Sequence, residues 1–202
     1  RFAERGGAVV ASGQTSLYNE WGEPRPDFAL ADLFGAHASS GKRAPARTLH
    51  TYLRLAPGER HPVLRGFEET EIIPFGGVLE PGLRVDAGAL VPLTFVPVFP
   101  IYPPETAWMR TPKTDIPALV LKGRVAYLAA DIDSRFGRDN LPDHGNLLAN
   151  ILRWAAADRM PLLVEGRGLM DCNLYTQAGR VILHVVNLTS AGTWRSPIDE
   201  LV

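Results

Sequence analysis

Two aspartates at the end of a predicted strand have the residue type and spacing that acid–base chemistry requires. Residues 124–129 form the apolar run that predicts the strand, and Asp131 and Asp133 follow at its carboxyl end. Ligands of open α/β sheets bind at that edge, and side chains two residues apart on a strand point to one side. Glycoside hydrolysis uses two carboxyl groups roughly 5–10 Å apart, which this spacing permits. Arg135 and Arg138 follow closely, and they favour the alternative of a salt-bridged structural cluster.

A proline-rich loop at residues 97–117 carries a second group of candidate residues. It contains Tyr102, Glu105, Trp108 and Arg110. Exposed tyrosine and tryptophan suit either sugar stacking or a protein interface, whereas the structural alternative is that both rings pack onto their own domain. Glu105 is a third carboxylate to consider for catalysis. Long loops without secondary structure are uncommon in compact domains and are often functional.

The first strand and turn of the sequence raise the same question of sugar or interface contacts. Trp21 lies there with Glu20 and Arg25. In α/β hydrolases and class I amidotransferases a nucleophile sits on such a turn. Residues 12–16 read Ser-Gly-Gln-Thr-Ser and do not form the Gly-x-Ser-x-Gly or Gly-x-Cys-x-Gly pattern. No histidine follows in a convincing order, so the turn is interpreted as structural.

The cysteine and the histidines do not indicate a nucleophile or a metal site. Cys172 is the single cysteine and lies inside a predicted strand, whereas reactive thiols need a setting that lowers their pKa. No two of the five histidines have metal-ligand spacing on one element. His144, beside Asp143 near a helix start, is the histidine of most interest. We expect neither a metal nor another cofactor.

Composition and charge restrict the class of protein. The 202 residues are 46% hydrophobic and 21% charged, with a formal net charge of −1, which indicates a globular chain and argues against a nucleic-acid partner. No apolar stretch approaches the ~20 residues that a membrane span needs. A single cysteine fits a reducing compartment, so a cytoplasmic location is expected. Residues 1–5 resemble the tail of a helix, which predicts further sequence upstream.

The pattern of elements over residues 1–160 predicts an α/β domain. Residues 8–11 form a short all-apolar run, typical of a strand in a parallel sheet covered by helices. Asp27 is the predicted N-cap of a helix at 28–34 that Gly35 ends. The further predictions are a loop at 36–46, a strand at 49–55, short strands at 72–75 and 93–96, a hairpin of 118–121 with 124–129, and a helix at 142–157.

Residues 161–202 have a different pattern. Runs at 162–165, 169–176 and 180–188 predict strands, and no helical segment separates them. An antiparallel β unit is therefore expected after the α/β unit, with the boundary near residues 158–164.

Several segments together resemble the trimerisation domain of β-galactosidase-like glycoside hydrolases. That domain is similar in fold to class I glutamine amidotransferases and lacks their nucleophile. The resemblance covers about residues 1–158, and the segments that carry it are 6–13 (GGAVVASG), 16–22 (SLYNEWG), 26–35 (PDFALADLFG), 61–67 (HPVLRGF), 123–133 and 144–154.

The resemblance implies a three-layer, amidotransferase-like (flavodoxin-like) domain over residues 1–160 that is incomplete at its N-terminus. It implies an upstream catalytic (β/α)8 barrel with most of the catalytic carboxylates. It also implies a homo-oligomer, as a trimer, in which this domain lines a neighbouring subunit's sugar pocket. Residues 161–202 would begin a C-terminal β-sandwich. The loop at 97–117 is long for that family, and the first strands of an amidotransferase-like sheet are missing.

Three functions follow from these observations. The first is an accessory, oligomerising domain of a carbohydrate-active hydrolase that is not catalytic alone. The second is an amidotransferase-like or sugar-utilisation enzyme with its own site at Asp131, Asp133, Glu20 or His144. The third is a carbohydrate-binding module that grips sugar through Tyr102 and Trp108. A nucleophile motif would favour the second, and the sequence lacks one.

Overall fold

The architecture is taken from a computed structural model that describes residues 2–39, 51–77, 79, 82–166 and 170–188. The α/β class predicted from the sequence is confirmed. The three α-helices of the described residues are α1 Ala31–Phe34, α2 Ile132–Asp139 and α3 Pro142–Ala155. The strands are β1 Val9–Ser12, β2 Ala36–Ser39, β3 Tyr52–Leu55, β4 Ile72–Pro74, β5 Gly82–Val85, β6 Leu90–Val96, β7 Pro117–Lys122, β8 Val125–Leu128, β9 Met170–Gln177 and β10 Arg180–Asn187.

The central sheet is mixed rather than all-parallel. Its strand order in the described residues is β1-β8-β7-β6-β3-β4. β1 pairs with β8 in parallel, as the apolar run at 8–11 predicts, and the other pairings of this sheet are antiparallel. The predicted hairpin of β7 and β8 forms, and its turn is Gly123 and Arg124, one residue later than predicted; Gly123 adopts a positive φ of 58°. β2 pairs with β5, and β9 with β10, in two separate two-stranded sheets.

The core packs along the middle strands of this sheet. Leu119, Val120, Ala126, Tyr127 and Leu128 of β7 and β8 are each at most 1% exposed. α3 buries Leu147 and Ile151 on the face predicted from its apolar spacing. Each fully buried leucine, isoleucine or valine side chain contributes about 1.5–3 kcal/mol of transfer free energy to folding.

An aromatic cluster joins α1 to the centre of the sheet. Phe34 stacks on Tyr127 with ring centroids 4.6 Å apart and 13° between the ring planes. Phe28 contacts both rings edge to face, at 5.7 Å from Phe34 and 5.1 Å from Tyr127. Offset stacking and edge-to-face contacts are the favoured geometries for aromatic pairs. The cluster therefore fixes α1 against β8.

The predicted helix at 28–34 is shorter in the structure, and Asp27 is not its N-cap. α1 begins at Ala31, after Leu30. The Asp27 carboxylate instead accepts hydrogen bonds from the backbone N–H groups of Phe28 and Ala38, at 2.7 and 2.8 Å. The bond to Ala38 ties the start of the segment to β2. The helix begins later than predicted because the Asp27 carboxylate competes with it for backbone donors. The C-terminal glycine is confirmed, since Gly35 is left-handed and its N–H reaches the Ala31 carbonyl.

Two further predictions are wrong within the described residues, and one helix was not predicted. Residues 36–39 form β2 and not a loop, because β5, which the sequence did not reveal, pairs with them. Residues 40–46 of that predicted loop lie outside the described residues. Residues 162–165 form no strand; the side chains of Leu163 and Val164 are 67% and 49% exposed. The remaining difference is α2, a helix where none was predicted.

The strand predictions at the C-terminal end are confirmed by β9 and β10, which form one antiparallel hairpin. The division into domains at residues 160 and 161 remains a prediction. No helix in the described part of the chain is long and apolar enough to cross a membrane.

Candidate functional site

The carboxyl ends of β1 and β8 lie side by side and form the candidate site. Ser12, the last residue of β1, is opposite Leu128, the last residue of β8. The Gly13 N–H donates to the Leu128 carbonyl at 2.8 Å, and the Tyr127 hydroxyl donates to the Gly13 carbonyl at 2.5 Å. The turn after β1 is thereby fixed to β8 by a buried side chain.

The turn after β1 is closed by a hydrogen bond and by left-handed backbone angles. The Thr15 hydroxyl donates to the Ser12 carbonyl at 2.6 Å, and Gly13 and Ser16 both have positive φ angles, of 56° and 66°. The Ser12 hydroxyl donates to Oδ2 of Asp133 at 2.8 Å. A serine nucleophile needs a positioned base with a third group behind it. Among the described residues, Ser12 has a carboxylate partner but no histidine.

Asp131 and Asp133 are not on the strand, so the predicted same-side arrangement is wrong. β8 ends at Leu128, Asp131 precedes α2, and Asp133 lies in the first turn of α2. Asp133 points to Ser12, as described above, while Oδ1 of Asp131 is buried and has no hydrogen-bond partner in the described structure. The two carboxylates therefore have different surroundings, one hydrogen-bonded to Ser12 and one with a buried oxygen that lacks a partner in the described structure.

Burial raises the pKa of Asp131 above its ordinary value. The nearby charge of Asp133 acts in the same direction, whereas the Asp131 backbone N–H and the Arg135 and Arg138 guanidinium groups oppose it. A carboxyl group with a raised pKa is found at structural positions as well as at functional sites.

The arginines of α2 form a salt-bridged cluster, but with a different carboxylate from the predicted one. Arg138 makes a two-pronged contact with Asp139, at 2.7 and 2.8 Å, and Nε of Arg135 lies 3.7 Å from the same carboxylate. The side chain of Arg135 is buried, and its Nε donates to the Phe75 carbonyl at 3.4 Å. Hydrogen bonding from Arg138 lowers the pKa of Asp139.

His144 is a buried residue that supports the neighbouring strand. It is 0% exposed, and its Nε2 donates to the Pro74 carbonyl at 2.7 Å. Nδ1 is buried and has no partner in the described residues. Arg135 of α2 donates to the next carbonyl, that of Phe75. The two side chains together link the end of β4 to α2 and α3. Within the described part of the chain, no three His, Cys, Asp or Glu side chains are grouped so as to hold a metal ion.

An open depression of about 310 Å³ gives solvent access to this edge of the sheet. Val10, Ser12, Leu128, Asp133, Leu148 and Leu152 line it. Its walls are thus apolar side chains of β1, β8 and α3, with the Ser12–Asp133 pair as the polar feature. The depression can receive a small group that offers a donor to Asp133.

We expect Asp131→Asn to stabilise the protein at neutral pH. A raised folded-state pKa means that the folded protein favours the neutral carboxyl group, so Asp131 destabilises the fold as pH rises through that pKa. Asparagine copies the neutral form, and the gain should disappear in acid, where Asp131 is protonated. Thermal unfolding of both proteins at acidic and neutral pH measures this. Asp115→Asn, at an exposed carboxylate, is the control and should change the melting temperature little. A lower melting temperature for Asp131→Asn at pH 7 would contradict the assignment.

Trp21 is presented on a hydrogen-bonded turn after β1. Its side chain is 81% exposed. Oδ1 of Asn19 accepts from the backbone N–H groups of Trp21 and Glu23, at 3.0 and 2.9 Å, and Gly22 closes the turn with a φ of 79°. Glu20 lies 3.9 Å from Arg25 on the surface. The indole is therefore held outward by the backbone rather than packed on its own domain.

The loop at 97–117 is anchored at both ends and carries exposed aromatic side chains. Phe99 stacks on Tyr52 at its start, and the Pro112 carbonyl accepts from Arg54 near its end. Tyr102 is 81% and Trp108 54% exposed, so the alternative that both pack onto their own domain is not what the structure shows.

The two polar candidates of this loop are also exposed. Glu105 lies in a short 3-10 turn, Pro104–Thr106, and Arg110 lies beyond it. No described contact brings Glu105 to Asp131 or Asp133, so the three carboxylates do not form one site in the described structure.

A second polar cluster surrounds His37 and was not predicted from the sequence. Its Nδ1 lies 2.6 Å from Oδ2 of Asp27, its Nε2 lies 3.2 Å from Oδ1 of Asp86, and Lys122 completes the chain at 3.2 Å from Asp86. His37 thus lies between two carboxylates, one at each ring nitrogen. Burial would raise the pKa of Asp27, but hydrogen bonds from His37, Ala38 and Phe28 outweigh it and lower that pKa.

Comparison with known proteins identifies a structural relative. No protein-family model matches the chain, and no curated protein matches it. The structure is similar to part of the alpha-L-fucosidase isoenzyme 2 from Paenibacillus thiaminolyticus, with a TM-score of 0.63 and 17% sequence identity. The similarity covers 98% of this chain and 27% of that chain. The chain thus shares the fold of a portion of a glycoside hydrolase.

Proposed function

We propose that the chain is an accessory, oligomerising domain of a carbohydrate-active hydrolase and is not catalytic alone. The observation that carries this proposal is the fold shared with a portion of an alpha-L-fucosidase, which spans almost all of this chain and about a quarter of that enzyme. The catalytic carboxylates would then lie on a barrel elsewhere in the full-length protein.

The finer fold proposal is a layered, amidotransferase-like domain. Tyr127 packs on α1, and the next residue of β8, Leu128, lines the depression that α3 borders. Successive side chains of a strand point to opposite faces, so this packing supports helices on both faces of the sheet. The parallel pair β1–β8 supports the same proposal.

The hairpin of β9 and β10 supports a second, β-rich domain from residue 161. Val181, Leu183 and Val185 alternate along β10, and they are 69%, 46% and 52% exposed. Their partners on β9 include Leu174 and Cys172. An isolated two-stranded hairpin is marginally stable, so this apolar face fits the first strands of a sandwich.

Self-association is proposed through the exposed aromatic residues. Trp21, Tyr102 and Trp108 are the residue types that dominate protein interfaces, and the contacts of Asn19 and Phe99 order the segments that carry them. Glu20 and Arg110 would supply polar contacts around them. The proposed assembly is a homo-oligomer, as a trimer, whose sugar substrate is handled by the full-length protein.

The second candidate function is an enzyme with its own site at the carboxyl edge. The depression beside Asp133 and the raised pKa of Asp131 favour it. A carbohydrate-binding module that uses Tyr102 and Trp108 is the third candidate, and their exposure is equally compatible with it.

Turnover of a panel of nitrophenyl glycosides, including α-L-fucosides, by the full-length protein and by the 202-residue chain tests the proposal. We expect hydrolysis by the full-length protein and none by the isolated chain, because the proposed catalytic carboxylates lie outside it. Hydrolysis by the chain alone, lost in Asp131→Asn or Asp133→Asn, would replace the accessory function with the enzymatic one. The Glu105→Gln variant is the matched test of the third carboxylate.

A further inference from the structure

A positively charged cleft lies between the turn that follows His61 and the C-terminal end of α3. Its volume is about 400 Å³, and Arg65, Arg124, Asn150, Arg153, Trp154 and Asp158 line it. It is separate from the depression at the carboxyl ends of β1 and β8. Arg124 directly precedes β8, whereas Ser12 ends β1 and Asp133 follows β8.

The charges of this cleft are not balanced by its own residues. Three guanidinium groups and the single carboxylate of Asp158 line it. Neither Arg65 nor Arg153 has a carboxylate within 4 Å among the described residues. The nearby Glu68 does not line the cleft, because its carboxylate accepts from the Gly66 N–H. That hydrogen bond lowers the pKa of Glu68, and Arg65 adds to the effect. Like charges that converge in a concave surface raise the local concentration of anions.

Arg124 is held in place by the main chain. Its guanidinium group donates to the carbonyls of Gly6 and Ala155. A cation at the C-terminal end of a helix interacts favourably with the exposed carbonyl groups there, so a structural role accounts for Arg124. The same explanation does not cover Arg65, which lies outside α3, after the short 3-10 turn Pro62–Leu64.

The remaining wall suits a ring that carries hydroxyl groups. The Trp154 indole is fixed by an edge-to-face contact with His61, with ring centroids 5.4 Å apart. Nδ2 of Asn150 donates to the Arg65 carbonyl at 2.7 Å, which leaves the Asn150 side-chain oxygen as an acceptor. Arginine matches phosphate oxygens with two parallel N–H donors, and an indole face suits the apolar face of a sugar.

We propose that this cleft binds a phosphate ester of a sugar, with the phosphate between Arg65 and Arg153 and the sugar ring against Trp154. The proposal does not depend on the oligomerising function, because none of these residues belongs to the exposed aromatic segments or to the carboxyl-edge site.

Calorimetric titration of the protein with inorganic phosphate and with glucose 6-phosphate tests the proposal. We expect saturable binding at one site for both probes at low salt. Arg65→Gln and Arg153→Gln should each weaken binding of both probes at least tenfold, because each variant removes one of the two proposed phosphate contacts. Trp154→Leu should weaken glucose 6-phosphate but not inorganic phosphate. Arg180→Gln, on the β9–β10 hairpin, is the matched charge control and should bind both probes as the wild type does.

Two outcomes would overturn the proposal. The first is the absence of saturable binding of inorganic phosphate and of glucose 6-phosphate. The second is an equal loss in Arg180→Gln and in the cleft variants, which would mean that phosphate responds to net charge and not to this cleft. Arg124 is left unchanged in the test because it caps α3.

Discussion

Replacing Trp21 with alanine is expected to weaken self-association of the full-length protein by about 30-fold or more, which corresponds to the ~2 kcal/mol of an interface hot spot. The reason is that the Trp21 side chain is 81% exposed on a turn that Asn19 already orders. A side chain held in its bound geometry loses little conformational entropy on association, so most of its buried area contributes to binding. Sedimentation equilibrium over a range of protein concentrations measures the change.

Leu90→Ala is the matched control, because Leu90 is also an exposed apolar residue, at 57%, but lies on β6 and outside the aromatic segments. Trp108→Ala should have a smaller effect in the same direction, since Trp108 is less exposed. An unchanged sedimentation profile for Trp21→Ala and Trp108→Ala would remove the interface assignment. If both variants instead lost affinity for sugars at unchanged mass, the carbohydrate-binding function would take its place.

The elements that depend on local sequence could be predicted. The β7–β8 hairpin follows from Lys122 and Gly123 between two apolar runs, and α3 follows from the spacing of Leu147 and Ile151. α2 could not be recognised so easily, because its apolar residues are few and Gly137 interrupts it. Ile132 and Phe136, four residues apart, are the signal that was available.

The polar contacts of the candidate site depend on residues far apart in sequence. Ser12 meets Asp133 across 121 positions, and His37 meets Asp86 through the pairing of β2 with β5. No spacing rule links such residues until the strand order is known. The error over Asp131 and Asp133 has the same origin, since a chain that turns into α2 just after β8 changes which way each carboxylate points.

Phe34→Ala is expected to lower the free energy of unfolding by about 3–5 kcal/mol, the usual cost of removing a buried phenylalanine. Phe34 is 0% exposed and stacks on Tyr127, whose hydroxyl holds the turn after β1 through the Gly13 carbonyl. The cavity would therefore loosen the support of the carboxyl-edge site as well as the core. Such a loss is a large part of the ~5–15 kcal/mol that stabilises most domains.

Urea unfolding of the wild type, Phe34→Ala and Phe34→Leu at one pH measures this effect. Phe34→Leu should lose less, because leucine fills part of the space, and Leu30→Ala, at a position 40% exposed, should lose about 0.5 kcal/mol or less. Tyr127→Phe separates the two roles of the cluster, since it keeps the stacked ring and removes the bond to Gly13. A loss below about 1 kcal/mol in Phe34→Ala would mean that the core refills the cavity, and that α1 is not what holds Tyr127 and the turn after β1 in place.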